Sequence, residues 1–174
     1  MLKKIISVLI VGVMTFSFIA CGGNSTPKKE NANSSVHKEQ KEEPKKTEFA
    51  IGDAINLNGM ILTVIDKQIS EGGKYDKPKE NKEFVIVKVK IENKSEKTIA
   101  YNPFYFKLKN SKGQITDQTF TTVNKDSALQ SGDLAPGGEV EGTIAFEAPK
   151  GDTGLQLMFK DNILTKESKI TINL

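Results

Sequence analysis

From residue 87 to residue 92 the chain alternates strictly between apolar and polar side chains. Val85, Val87, Val89 and Ile91 fall on one face, while Lys88, Lys90 and Glu92 fall on the other. This period of two is that of a strand with one buried face. Phe84 and Ile86 occupy the second face, so that end of the strand is predicted to be covered on both sides. A helix would scatter the same residues around its circumference.

The same pattern recurs in short runs between turns. Asn58-Gly59 separates residues 54–57 from 60–65 and predicts a hairpin, because both central residues tolerate positive φ. Residues 70–81 hold Gly72-Gly73 and Pro78 and read as a loop. Phe104, Phe106 and Leu108 alternate with Tyr105, Lys107 and Lys109, and a turn at residues 111–113 leads to a further strand at 114–117. Residues 119–130 lack a clean period, with a short helical turn expected near Asp126. Leu134-Ala135-Pro136-Gly137-Gly138 is a turn. Val140, Ile144 and Phe146 then point inward, and Gly142 at an inward position predicts a bulge or close approach of another backbone. Leu155, Leu157 and Phe159, then Ile170, Ile172 and Leu174, face inward on two final strands. About eight or nine short strands and no helix after the leader make this an all-β sandwich over residues 48–174.

The N-terminus is built differently. Lys3 and Lys4 precede an apolar run from residue 5 to 20, which ends at Cys21, the only cysteine of the 174-residue chain. This is the layout of a secretory signal, and 16 residues fall short of the roughly 20 that span a bilayer as a permanent helix. The ending Phe18-Ile19-Ala20-Cys21 resembles a bacterial lipobox, with Phe18 in place of the usual Leu. It implies cleavage after Ala20, lipid on the Cys21 thiol, and anchoring to the outer face of the membrane by more than one acyl chain. Residues 21–47 then form a lipidated cysteine and linker. From residue 22 this stretch has no aromatic residue and, beyond Ala32 and Val36, no hydrophobic one. Such a chain cannot bury enough surface to offset its entropy, and as a disordered tether it would span roughly 28 Å.

Charge and composition narrow the function. The formal charge is +3, and all 25 basic residues are Lys. Eight of them precede residue 48, which leaves 17 Lys against 18 acids in the domain. A near-neutral domain without Arg lacks both the electrostatic footprint and the bidentate fork for nucleic acid. One Cys excludes an internal disulfide, and the single His, His37, lies in the linker, so no His-based triad or metal site can be assembled. No phosphate-binding loop, zinc-protease motif or EF-hand spacing occurs. No catalytic residue and no cofactor are expected. Asp76 with Glu80, or Asp152 with Asp161, could give calcium oxygen ligands, although exposed solubilising acids are the simpler reading.

One family shares these landmarks. Phe49-Ala50-Ile51-Gly52-Asp53, the strand Phe84 to Asn93, Phe106-Lys107-Leu108 before Gly113, the Leu-x-Pro-Gly-Gly turn from Leu134, then Phe146 and Pro149 together resemble domain-of-unknown-function family 4352. The resemblance covers roughly residues 48–161. It implies an immunoglobulin-like sandwich of the kind found in Gram-positive lipoproteins, and it carries no catalytic residues to transfer. Two binding readings follow. The first is a surface adaptor for an extracellular protein, with Tyr75, Tyr101 and Tyr105 as candidate partner-binding anchors or simply strand-end caps. The second is an envelope lipoprotein gripping cell-wall polymer through lysine faces such as Lys88/Lys90 and Lys107/Lys109.

Overall fold

The computed structural model describes residues 48–161, 164 and 168–174. The leader, Cys21, His37 and the linker lie outside them.

Eleven strands are present among the described residues. Glu48–Ala50 (β1), Phe106–Lys109 (β6), Ile115–Thr116 (β7), Gln156–Phe159 (β10) and Ile170–Asn173 (β11) form one sheet in the order β1-β11-β10-β6-β7. Ala54–Leu57 (β2), Met60–Ser70 (β3), Lys82–Asn93 (β4) and Glu139–Pro149 (β9) form the second, in the order β2-β3-β4-β9. Ile99–Tyr101 (β5) and Gly132–Leu134 (β8) make a separate ribbon. All pairs are antiparallel except β1 with β11.

The two large sheets enclose one core. Val85, Val87, Val89 and Ile91 are buried there with Leu62, Val64, Ile144 and Phe146 from the neighbouring strands, and with Phe106, Leu108, Leu157, Phe159 and Ile172 from the opposite sheet. The alternation on β4 is therefore the sandwich interior seen from one strand. Phe84, Ile86 and Ala145 form a second buried cluster, so this end of β4 is covered on both faces as expected. The β2–β3 hairpin turns at Asn58 (φ 54°) and Gly59 (φ 95°), the pair of positive angles that such a short connection demands.

Three strands escaped the pattern. β1, β5 and β8 have three residues each, too few to display a period. β3 runs to Ser70 rather than stopping at Ile65, because a register shift at Ile65 breaks the alternation there. Phe104 is not in a strand. Asn102 accepts the Phe104 N–H at 2.9 Å, and Pro103 supplies a ready-made helical φ, so residues 103–105 form a 3-10 turn before β6 begins. The helical turn expected near Asp126 falls earlier, at Thr122–Asn124, capped by the Thr121 hydroxyl.

Candidate functional site

The irregular segment 118–131 arches along the outer edge of β9. Its first leg is pinned where Thr119 N–H donates to Ala145 C=O at 2.8 Å. The second leg is pinned twice, by Leu129 N–H to Thr143 C=O at 2.9 Å and by Thr143 N–H to Ser127 C=O at 2.8 Å. Asn124, buried, donates from Nδ2 to Thr143 Oγ1 at 2.8 Å. Gly142 makes the close approach possible, since a Cβ there would stand 2.7 Å from Leu129 Cα. This is the backbone contact that an inward glycine predicted.

The arch tip is tied to the 71–81 loop. Thr122 donates its N–H to Asp76 at 3.0 Å and its hydroxyl to the same carboxylate. Hydrogen bonds from the Thr121 and Thr122 hydroxyls, in that order, hold the Asp76 pKa below the ordinary carboxylate value. A depressed folded pKa contributes stability above the unfolded value, which is lost as pH falls through the folded one. Asp76→Ala should therefore loosen the arch at neutral pH, and the wild type should loosen only in acid below the usual carboxylate range. Limited proteolysis at Lys125 checks this: cleavage should accelerate severalfold in the variant, while the melting temperature moves by less than about 4 °C.

Between the arch, the Asn102–Phe104 segment and β9 lies a cleft of about 530 Å³. Phe104 on one wall is 48% exposed and Phe120 on the other is 84% exposed. Two uncovered phenyl rings flanking one concavity are an exposed apolar patch of the kind that marks a binding surface. Gln118, also in the lining, keeps its Oε1 buried without a hydrogen-bond partner among the described residues. Among the described residues, Asp76 and Lys125 are the only charged ones lining the cleft. The site therefore provides apolar contact together with amide and hydroxyl hydrogen bonding.

The structure distributes the candidate residues read from sequence. Tyr75 is 80% exposed on the 71–81 loop, with Lys74 Nζ 5.4 Å from its ring centre. Tyr101 and Tyr105 are partly buried against the core. Tyr101 lies over Gly132, and Tyr105 meets Phe159 edge-on with ring centres 6.3 Å apart. These two serve packing, and none of the three tyrosines lines the cleft. The sequence reading missed Phe104 and Phe120. The one available signal was an aromatic residue in the aperiodic stretch 119–130.

Three of the four carboxylates considered as calcium ligands are used in loop closure or pairing. Asp76 holds the arch. Asp152 accepts from Ser111 N–H, Ser111 Oγ and Gly154 N–H at 3.1, 2.9 and 2.9 Å, and Asp161 pairs with Lys169. Glu80 lies exposed at the end of the 71–81 loop. Among the described residues no three His, Cys, Asp or Glu side chains gather as a metal site would require.

Three of the four lysines on the two faces are paired, and Lys109 has no acidic partner among the described residues. Lys88 meets Glu141 at 2.8 Å and Lys90 meets Glu139 at 3.0 Å across the β4–β9 ladder, and Lys107 pairs with Asp117. The Glu139 hydrogen bond raises the Lys90 pKa, and the Lys88 hydrogen bond lowers that of Glu141. Strand alternation placed these lysines together, and pairing with β9 laid glutamates beside two of them.

Comparison with known proteins places this architecture. A domain of unknown function, DUF4352, matches residues 49–170. The chain belongs to the DUF4352 family. Among curated proteins, the uncharacterized lipoprotein YjhA of Bacillus subtilis is 32% identical over 74 residues, 42% of this chain. The match spans only 35% of YjhA's own length. The crystal structure of the yjhA protein from Bacillus subtilis superposes with a TM-score of 0.57 at 21% identity, covering 72% of this chain and 98% of that one. The ycdA protein of the same organism gives 0.57 at 19% identity, covering 70% of this chain and 38% of that one. At these identities the two structures establish the β-sandwich of this DUF4352 domain and nothing about its ligand.

Proposed function

We propose that this protein is a non-catalytic binding module, lipid-anchored through Cys21 at the outer face of the membrane, that holds an apolar segment of an extracellular protein in the cleft between Phe104 and Phe120. The exposure of those two rings across one concavity carries the reading. The basic-apolar leader ending at Cys21 and the lipoprotein relative support the anchor. Interfaces are enriched in aromatic residues and poor in charge at their centre, as this cleft is. A wall-polymer grip is less well supported, because Lys88, Lys90 and Lys107 already carry acidic partners.

In-cell photocrosslinking of the full chain tests the reading, with a photoreactive side chain at Phe120 and a control at the exposed Ile115. One dominant protein should be captured from position 120 only. Its yield should fall about tenfold with Phe104→Asp, the loss of one well-placed anchor residue, and should vanish with Cys21→Ser. Wall fragments at position 120, or equal capture from both positions, would overturn it.

A further inference from the structure

The end of β3 runs beyond its hairpin partner. β2 pairs with β3 only from Met60 to Thr63, and Gly52 N–H then closes Val64 C=O at 2.9 Å. From there to Ser70, β3 pairs with β4 on one side. On the other side no strand among the described residues joins it.

The register shift at Ile65 decides which backbone groups face outward. Thr143 uses both its backbone groups on the arch, so it turns away from β4. Alternation then aims Val85, Val87 and Val89 at β9, and Ile86 and Lys88 at β3. Ile86 and Lys88 stand opposite Gln68 and Asp66, whose groups are thereby consumed. Those of Lys67 and Ile69 point outward. Asp66 Oδ1 accepts the Lys67 N–H at 2.8 Å, which leaves the Lys67 carbonyl and both groups of Ile69 for another strand. The side chain of Ile69 is 48% exposed, and Ile65 is also exposed.

A bare apolar edge would pair with any strand, and natural sheets restrict this with bulges and lysines. Here the bulge at Ile65 and the ammonium of Lys67 restrict it to partners with an acid in the right place. The chain's own edge meets that demand. In an antiparallel register centred on Ile69, Ile69 faces the partner's Ile69, Gln68 faces the partner's Ser70, and Lys67 faces the partner's Glu71. Centring on Lys67 would oppose two ammonium groups, and centring on Gln68 would set each ammonium against an isoleucine. Glu71 is exposed and also pairs with Lys150, and a carboxylate has acceptor sites for both cations.

We propose that two copies of this protein associate through the free edge of β3, antiparallel and centred on Ile69, so that the four-stranded sheet continues across a two-fold axis. Such an interface is isologous and closes on itself. It is small beside permanent dimer interfaces, and it suits molecules concentrated on one surface.

The test uses the full chain in cells, with a photoreactive side chain at Ile69 and the control at Ile115. The product expected from position 69 is a crosslink of twice the monomer mass, containing only this protein. Lys67→Glu should reduce it at least about tenfold, as expected when two opposed pairs become repulsive. Adding Glu71→Lys to that variant should restore it, because the swap rebuilds both pairs between copies. No self-crosslink, a different protein captured at position 69, or a dimer indifferent to Lys67→Glu would each overturn the proposal. None of these outcomes depends on what the Phe104–Phe120 cleft binds.

Discussion

Val89→Asp is expected to abolish folding of the domain. Val89 is wholly buried on the inner face of β4, opposite Val64 on β3 and Gly142 on β9. Val64 is also wholly buried, and the surrounding core is aliphatic and aromatic. The substitution removes about 2 kcal/mol of apolar burial and adds several kcal/mol for a carboxylate with no partner. The sum reaches the lower part of the roughly 5–15 kcal/mol by which a typical domain is stable. Far-UV circular dichroism and a thermal melt decide the matter: the variant should show no cooperative transition, and an unchanged melting temperature would refute the register. Val87→Asp is the milder test despite equal burial, because Lys67 stands directly opposite Val87 and can offer an ammonium to the new carboxylate.

Asn93→Ala should lower the melting temperature by roughly 10 °C, corresponding to about 3 kcal/mol. Asn93 ends β4 and is wholly buried. Its Nδ2 donates to Lys97 C=O at 2.7 Å and Leu134 C=O at 2.8 Å. Its Oδ1 accepts from Ser95 N–H at 2.9 Å and Ser95 Oγ at 2.7 Å. Its backbone exchanges bonds with Gly137 and Gly138 at 2.8 and 2.9 Å. One residue thus joins the 94–98 turn and the end of β8 through its side chain and the 134–138 turn through its backbone. Alanine keeps the backbone bonds but takes the amide donor from the Lys97 carbonyl and the buried Leu134 carbonyl, and a buried group that loses a partner costs more than the net value of the bond. Asn93→Asp separates the two contributions. It keeps the acceptor for Ser95 and turns both carbonyl contacts repulsive, so it should destabilise at least as much at neutral pH and recover partly in acid.

The sandwich was legible because its cause is local. Each inward residue of β4, β9, β10 and β11 is two positions from the next, and burial of one sheet face enforces that spacing wherever a strand is long enough to repeat it. Where the cause is not local, the pattern misled or was silent. Phe104 keeps the parity of Phe106 and Leu108, yet Asn102 and Pro103 wind it into a 3-10 turn, and it ends up exposed. β3 continues past Ile65 because β4 continues beside it, although the bulge disrupts the alternation. The tyrosines drew attention as aromatic residues near turns, but whether a ring packs or protrudes depends on what lies over it. Tyr101 and Tyr105 found the core to pack on.

The candidate site was legible only as an absence of pattern. Residues 119–130 showed no period because the arch makes isolated bridges to β9 rather than a ladder, so its side chains obey no face rule. Phe120 is exposed as a consequence, and it becomes half of a cleft only because Thr119 and Leu129 are pinned to strand residues well along the chain.

By itself, the amino-acid order determined the leader-and-cysteine layout, the all-β class, the Asn58-Gly59 hairpin, the inner faces of β4, β9, β10 and β11 and the need for a small residue at 142. All of these follow from interactions between near neighbours, or from one face of one strand meeting an apolar core. The tertiary structure alone decided that Glu139 and Glu141 neutralise Lys90 and Lys88, that Asn93 joins two turns to the end of β8, that Phe104 and Phe120 share a cleft, and that the end of β3 has no strand on its outer side among the described residues. Each of these depends on which strands lie side by side and in what register. That is set by the packing of the whole core, a property no single stretch of chain contains.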